Sequence, residues 1–228
     1  METTGQGDCP GEVWLLPNWV DPERIYPLPV SASLRPELGL KPTNRVILYA
    51  GNLGEKQGLE ILLEVAERFH SRPEVVFVLV GAGGGREKLE AKVQAAELTN
   101  VRFFPLQPNE KLAALLASAD VHLVLQKKSA SDLVMPSKLT GIMAAGGCAI
   151  VTALPGTSLY ELVERYQTGI LAEPESAEAL WAGINRALTS DLAPYRANAL
   201  AYAKRYLQKE AILTTFEQQL LALTPPAV

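Results

Sequence analysis

The tetrapeptide Pro136-Ser-Lys-Leu139 combines residue types that suit an anion-binding site. Proline fits the first turn of a helix, where backbone N–H groups lack partners and the helix dipole is positive. Ser137 adds a hydroxyl donor, and Lys138 adds a positive charge that is unfavourable at this end of a helix unless an anion lies nearby. The tetrapeptide therefore predicts a phosphate site, and an ordinary surface lysine at a helix start is the alternative.

A second candidate loop is Gly51-Asn-Leu-Gly-Glu-Lys-Gln-Gly58, which follows a predicted strand. Its glycines allow the backbone to come close to a ligand, and Lys56 precedes the next predicted helix. An ordinary strand-to-helix turn is the alternative interpretation. Two lysines at helix starts on the same edge of a sheet suit a diphosphate better than a single phosphate, so Lys56 and Lys138 are predicted to act together.

The glycine-rich run Gly81-Ala-Gly-Gly-Gly85 resembles half of a dinucleotide-binding fingerprint. Arg86 occupies the position of the last glycine, and no acidic residue ends the following predicted strand, which argues against a nicotinamide or flavin site. The G-x-x-x-x-G-K-[ST] phosphate loop is absent as well. The sequence therefore does not predict an ordinary ATPase or GTPase.

The chain alternates between β-rich runs and amphipathic helical stretches, which is typical of βαβ units and a parallel sheet. Strands are predicted at 45–50, 75–80, 101–104, 121–125, 149–152 and 169–172. Helices are predicted near 59–66, 89–96, 112–116, 136–145, 159, 177–188 and 194–223. We expect an α/β fold with a Rossmann-like parallel sheet flanked by helices, in which ligands bind at the carboxyl ends of the strands.

Composition excludes several classes of protein. The 228 residues carry a net charge of −4 without clustered Lys and Arg, which argues against a nucleic-acid partner. No apolar run approaches the roughly 20 residues of a membrane span, and no signal peptide is present, so we expect a cytoplasmic location. Cys9 lies in a polar segment and Cys148 in an apolar run, and these settings differ too much to predict a disulfide or a metal site.

A family resemblance rests on an ordered set of segments. They are Pro17-Asn-Trp-Val-Asp21, Tyr49-Ala-Gly-Asn-Leu-Gly-Glu-Lys-Gln-Gly58, Leu79-Val-Gly-Ala-Gly83, Met135-Pro-Ser-Lys-Leu139 and Gly169-Ile-Leu-Ala-Glu-Pro174. Together they resemble the C-terminal lobe of group 1 (family 4) glycosyltransferases, nearest to the bacterial colanic acid, capsule and O-antigen sugar transferases. The resemblance implies a single GT-B lobe over residues 13–223, and we expect disordered tails at 1–12 and 224–228.

The resemblance implies a function for this lobe. It would hold the donor of a retaining, hexosyltransferase-type enzyme that transfers a sugar from a UDP- or GDP-linked donor to a cell-envelope polysaccharide or a lipid-linked acceptor. The donor is a substrate, and no cofactor or metal is implied. A complete enzyme needs an N-terminal acceptor lobe, from the same gene or a separate subunit, so we expect the isolated chain to be inactive. A lipid-linked acceptor would bring the enzyme to the inner face of the membrane.

The resemblance also assigns residues. Lys56 and Lys138 would bind the donor diphosphate and act catalytically by stabilising charge on the leaving group. Leu106 and Gln107 would contact the base, and Asp132 would line the sugar pocket. The remaining donor contacts are assigned to Gly51, Asn52, Gly54, Gly83, Pro136, Ser137 and Leu139.

The sequence departs from the family pattern at this site. The family commonly carries a pair of glutamates around the helix after Pro136, and these positions fall on Leu133 and Gly141. The glutamate at the second position is expected to hold the ribose hydroxyls, and glycine supplies no side chain for them. Either the donor contacts are re-routed or the affinity is low. The alternative function is therefore a non-catalytic nucleotide-binding or assembly module derived from such a lobe.

Other conspicuous residues have structural explanations. His122 lies inside a predicted apolar strand and is expected to be packed rather than catalytic. Trp19 is expected to pack onto the sheet rather than to stack on a sugar. Glu173 and Glu175 resemble an acidic pair near the donor sugar, but Ser176 equally predicts a capped helix start.

Overall fold

The structure is a computed structural model that describes residues 16–54, 57–130 and 135–223. The predicted tails at 1–12 and 224–228 lie outside these residues. Lys56, Asp132 and Leu133 lie outside them as well, so the predictions made for these three side chains stay predictions.

Runs rich in Val, Ile, Leu and Phe form the strands of one sheet, as their preference for a pleated and buried surface predicts. The strands are β1 (Arg45–Ala50), β2 (Val75–Val80), β3 (Val101–Phe104), β4 (Val121–Val124), β5 (Ala149–Thr152) and β6 (Gly169–Ala172). The sheet has six strands in the order β3-β2-β1-β4-β5-β6, and every adjacent pair is parallel. The prediction of a Rossmann-like parallel sheet is confirmed.

A helix joins each strand to the next, as parallel pairing requires. The helices are α1 (Glu60–Arg68), α2 (Arg86–Ala95), α3 (Leu112–Leu116), α4 (Ser137–Ala144), α5 (Ser158–Tyr166), α6 (Ala177–Thr189), α7 (Ala193–Tyr206) and α8 (Lys209–Leu223). Each predicted helix is present. Pro136 is the N-cap of α4, with an extended ψ of 117°, and is not its first helical residue.

Both faces of the sheet are covered, which explains why its strands are almost continuously apolar. Ile47 and Tyr49 of β1 point to the face that packs against α1, α2 and α6. Val46 and Leu48 point to the opposite face, beside α3. Helices α4, α5 and α7 cover the rest of that second face. The result is a three-layered α/β/α arrangement.

The sheet order places a crevice between β1 and β4. The chain leaves β1 towards β2 on one side, whereas β4 pairs with the other side of β1, with Leu48 opposite His122. The connections after β1 and β4 therefore diverge, and a crevice opens at the carboxyl ends of these strands. The loop that begins at Gly51 and the start of α4 both lie at this point.

The segment before β1 is tied to the far end of the chain. The Val20 N–H donates to the Leu207 carbonyl at 2.8 Å, and the Lys209 N–H donates to the Val20 carbonyl at 3.1 Å. These bonds hold the segment at the junction of α7 and α8. Within the described ranges, no helix combines the length and apolar character needed to cross a bilayer.

Candidate functional site

Lys138 lies in the first turn of α4, close to the carboxyl end of β1. Its Nζ is 3.9 Å from the centroid of the Tyr49 ring. No carboxylate among the described residues forms an ion pair with it. Burial without an opposite charge lowers the pKa of the Lys138 ammonium to about 8. A bound anion would stabilise the charged form of Lys138 in this setting.

The loop after β1 is shaped to leave room for this ammonium. The Tyr49 hydroxyl donates to the Asn52 carbonyl at 2.9 Å, which holds the start of the loop. Gly51 has a φ of +147°, and a Cβ at this position would lie 3.1 Å from Lys138 Nζ. A side chain there would therefore be strained and would press on the ammonium.

Gly83 serves the packing of two loops. A Cβ at this position would lie 2.4 Å from Asn52 Oδ1 and 2.7 Å from the Leu53 carbonyl carbon. The loops are also bonded, since the Leu53 N–H donates to Ala82 and the Gly85 N–H donates to Leu53, both at 2.9 Å. The glycine-rich run after β2 therefore fixes the loop after β1.

A cavity of about 420 Å³ opens beside Lys138. It runs from the start of α4 across the ends of β1 and β4 to the loop after β3. Its lining includes Gly51, Leu106, Gln107, Ser137 and Lys138. The structure thus brings together five of the residues assigned from the sequence, and a cavity of this size falls in the range of small-molecule sites.

The other assigned residues that the structure describes do not line this cavity. Asn52, Gly54 and Gly83 belong to the packed loops around it. Pro136 caps α4. The Leu139 side chain is buried in the core, and its N–H donates to the Pro136 carbonyl at 2.9 Å.

The loop after β3 forms one lip of the cavity. Leu106 is 69% exposed and presents an apolar side chain at the mouth. The Gln107 amide nitrogen donates to the Pro105 carbonyl at 3.0 Å, within its own loop. This lip offers an apolar surface and a backbone that is held in place.

The floor of the cavity is apolar beside Gly141. A Cβ at this position would lie 3.5 Å from Ile25 Cδ1 and 3.9 Å from Leu116 Cδ1. His122 also lines the floor and is 2% exposed. Burial, assisted by the charge of Arg196, lowers the pKa of His122 to about 3, so the imidazole is neutral at pH 7. The expectation that His122 is packed is confirmed.

Sequence reasoning missed three residues of the site. Trp19 is 42% exposed and lines the mouth, so the expectation that it packs onto the sheet is wrong. Asp21 is the only carboxylate among the described lining residues, and its Oδ1 accepts the Glu23 N–H at 3.0 Å. Tyr49 lies beneath Lys138. Trp19, Asp21 and Tyr49 belong to segments that carried the resemblance, which is the signal that could have drawn attention to them.

The acidic pair after β6 is occupied by contacts within the chain. Lys128 Nζ lies 2.9 Å from Glu173 Oε1, and the Lys128 N–H donates to Glu175 Oε2 at 3.0 Å. Ser176 accepts the Ala179 N–H at 3.1 Å, as expected of an N-cap. In the part of the chain that the structure describes, no three His, Cys, Asp or Glu residues group closely enough to hold a metal ion.

Residues 30–206 match the family of glycosyl transferases group 1. The chain belongs to this family. The resemblance to group 1 glycosyltransferases is therefore confirmed. In this group 1 glycosyltransferase chain, the cavity lies in the crevice at the carboxyl ends of β1 and β4.

Among curated relatives, the chain is 44% identical over 214 residues to WcaI of Escherichia coli, a protein described as a colanic acid biosynthesis glycosyl transferase. That match covers 92% of this chain and 52% of WcaI. It is 29% identical over 192 residues to a D-inositol 3-phosphate glycosyltransferase of Segniliparus rotundus, covering 73% of this chain and 43% of that protein. The chain spans about half the length of these relatives.

Solved structures share the fold. Anabaena HepE in complex with UDP and glucose matches with a TM-score of 0.77 at 22% identity, over 90% of this chain and 56% of HepE. The C-terminal domain of the group 1 protein LpcC from Francisella tularensis matches with a TM-score of 0.66 at 19% identity. This second match covers 83% of this chain and 99% of the LpcC domain. Both are GT-B neighbours in fold.

Proposed function

We propose that this chain is the donor-binding lobe of a retaining glycosyltransferase that uses a UDP- or GDP-linked sugar. The observation that carries the proposal is the position of Lys138. Its ammonium lies at the start of α4, beside a cavity of about 420 Å³, and no described carboxylate neutralises it. A diphosphate would supply the missing negative charge.

The arrangement suits a diphosphate for electrostatic reasons. The helix start provides backbone N–H groups and the positive end of the dipole, and Lys138 adds a full charge in a half-buried setting. An anion bound here would raise the lowered pKa of Lys138, because it favours the charged form. Ser137 is exposed at the same turn and adds a hydroxyl donor.

The same contacts would assist bond cleavage. When the bond between the sugar and the diphosphate breaks, negative charge grows on the departing phosphate oxygen, and Lys138 stabilises it. Removing one such contact typically costs a few kcal/mol of transition-state stabilisation. The family resemblance implies that Lys56 would supply a second positive charge and that Asp132 would line the sugar pocket. The exposed lip at Leu106 would contact the base.

The comparisons support the donor and the acceptor class in different ways. HepE was solved with UDP and glucose, which supports a nucleotide-sugar donor. WcaI is described by its role in colanic acid biosynthesis, which supports a cell-envelope polysaccharide or lipid-linked acceptor. Because the chain spans about half of WcaI, we propose that an acceptor lobe completes the enzyme and that the isolated lobe binds donor without transferring sugar.

A second candidate function is a nucleotide-binding or assembly module without catalysis. The apolar floor around Gly141 favours it, because the described atoms outside α4 that a Cβ there would meet within 4 Å are carbons of Ile25 and Leu116. A ribose hydroxyl placed on this floor would lack a side-chain partner at Gly141. A nucleotide-binding module of this kind would bind nucleotide weakly, and an assembly module would not bind it.

Thermal denaturation in the presence of UDP, GDP, ADP or NAD tests the proposal. A ligand at about 100 times its dissociation constant adds about 2.7 kcal/mol of stability, which shifts the melting temperature by several degrees. We expect UDP or GDP to give this shift and Lys138→Ala to reduce it strongly. Lys92→Ala removes the same charge from an exposed position on α2 and is the matched control.

Two results would overturn the donor-lobe proposal. One is that no nucleotide moves the transition at millimolar concentration, which favours the alternative module. The other is that UDP or GDP stabilises Lys138→Ala as much as the wild type, which places the nucleotide away from α4.

A further inference from the structure

Tyr49 forms a rigid surface beneath Lys138. The tyrosine is fully buried, at 0% exposure, and pairs with Leu79 of β2 in the register of the sheet. Its ring belongs to the core cluster that includes residues of α1 and α6. Its hydroxyl donates to the Asn52 carbonyl, which fixes the outer end of the side chain. The ring therefore has a defined orientation before any ligand binds.

The ring attracts the ammonium. Lys138 Nζ lies 3.9 Å from the ring centroid, well inside the roughly 6 Å range over which an aromatic face attracts a cation. A lysine side chain is flexible and otherwise loses rotamer freedom when it binds an anion. Contact with a fixed ring restricts the ammonium in advance, next to the space that Gly51 leaves open.

We propose that Tyr49 is a positioning residue that acts through Lys138 and holds its ammonium at the anion-binding end of α4. The proposal rests on the proposed function in one respect, namely that the anion is the diphosphate of a nucleotide sugar. The aromatic ring is the part of Tyr49 that attracts and positions the Lys138 ammonium. The hydroxyl only fixes the ring, so phenylalanine is expected to replace tyrosine at small cost.

Few titratable side chains among the described residues line the cavity beside this pair. Asp21 and His122 are the other titratable side chains that line the cavity, and Tyr49 lies beneath the ammonium. Burial raises the pKa of Tyr49, so the phenol stays neutral at working pH. Burial lowers the pKa of Lys138 to about 8, and the ring face opposes that fall because it favours the charged form.

The binding test measures the dissociation constant of UDP by calorimetry at pH 7 for a set of Tyr49 variants. Tyr49→Phe keeps the ring, and we expect a change of no more than about threefold. Tyr49→Leu and Tyr49→Met remove the ring, and we expect about tenfold weaker binding from a half-buried contact of this kind. Each variant is repeated with Lys138→Ala, where we expect the ring to have no further effect.

A second measurement does not depend on nucleotide. NMR titration of carbon-13-labelled lysine in the ligand-free protein follows the pKa of Lys138 directly. We expect Tyr49→Leu or Tyr49→Met to lower this pKa by about one unit and Tyr49→Phe to leave it nearly unchanged, because only the first two remove the aromatic face. If neither UDP nor GDP binds while this pattern holds, the proposed function fails and the positioning role stands.

Three results would overturn the positioning role. The Lys138 titration could be the same in the ring-deleted variants and the wild type. Tyr49→Phe could weaken UDP binding as much as Tyr49→Leu, which would assign the effect to the hydroxyl. The ring-deleted variants could weaken UDP binding equally in the Lys138→Ala background, which would assign Tyr49 a purely structural role. If Tyr49→Leu does not fold, Tyr49→Met carries the comparison.

Discussion

Replacing Gly141 with alanine is expected to stabilise the chain although the position is buried. Gly141 lies in the interior of α4, where glycine costs about 1 kcal/mol relative to alanine. The added Cβ would meet Ile25 Cδ1 at 3.5 Å and Leu116 Cδ1 at 3.9 Å, which are ordinary van der Waals distances. The methyl group therefore adds apolar contact without a clash with the described residues, and the free energy of unfolding should rise by about 1 kcal/mol.

Urea denaturation measures this change in the free energy of unfolding directly. In thermal denaturation, a change of about 1 kcal/mol in a chain of this size corresponds to a rise in melting temperature of roughly 2 to 4 °C. Gly81→Ala is the contrasting variant, because its Cβ would lie 1.8 Å from the Gly51 carbonyl oxygen at a φ of +155°. We expect it to lower stability by more than about 2 kcal/mol. We therefore expect that alanine is tolerated at position 141 and that position 81 requires glycine.

A loss of stability in Gly141→Ala would refute the reasoning, because it would mean that the cavity floor is tighter than these distances imply. The methyl group is small and apolar, so the UDP dissociation constant should change by no more than about twofold. A larger loss of UDP affinity at unchanged stability would show that the nucleotide itself occupies the space beside Gly141.

Two further predictions concern stability away from the diphosphate position. Between its ordinary pKa of about 6.5 and its folded-state pKa of about 3, His122 is protonated only in the unfolded chain, so stability should fall as the pH falls through this window. His122 accounts for a fall in the free energy of unfolding of at most about 1.4 kcal/mol per pH unit. Urea denaturation at pH 7, 6 and 5 should show a shallower fall in His122→Leu than in the wild type. Equal slopes in the two proteins would contradict the assignment. Asp120→Ala should lower the free energy of unfolding by about 3 kcal/mol, because Asp120 accepts hydrogen bonds at 2.7 Å from the buried Arg35 guanidinium and from the Val46 N–H. Glu37→Ala, which removes an exposed ion pair with Lys111, should change stability by less than about 1 kcal/mol in the same assay, and a similar loss in both variants would contradict the argument.

The elements of the fold were predictable because local pattern determines them. Val75–Val80 is a short, continuous apolar run, and it forms a strand buried along its whole length. The start of α4 was predictable to within one residue, because proline is suited to a helix start. The order of the strands in the sheet is not a local property. The alternation of strands and helices nevertheless leaves only a few possible strand orders.

The composition of the cavity was predictable only in part. Lys138 contacts Tyr49 because β4 pairs with β1, and this register depends on packing across the whole sheet. Trp19 and Asp21 reach the cavity because backbone hydrogen bonds hold Val20 beside Leu207. No periodic pattern marks the segment before β1, so its position could not be derived from local sequence. Gly83 was assigned to the donor, whereas its neighbours in the structure are the atoms of another loop.

The bonds between Val20 and residues 207–209 make the cavity depend on a segment that is distant in the sequence. One wall of the cavity, at Val20 and Asp21, is held by backbone hydrogen bonds to Leu207 and Lys209. These partners belong to the junction of α7 and α8 and not to the sheet, so local opening of this junction would release the wall while the six strands stay paired. Ligand affinity would then respond to changes at the α7–α8 junction that leave the sheet intact.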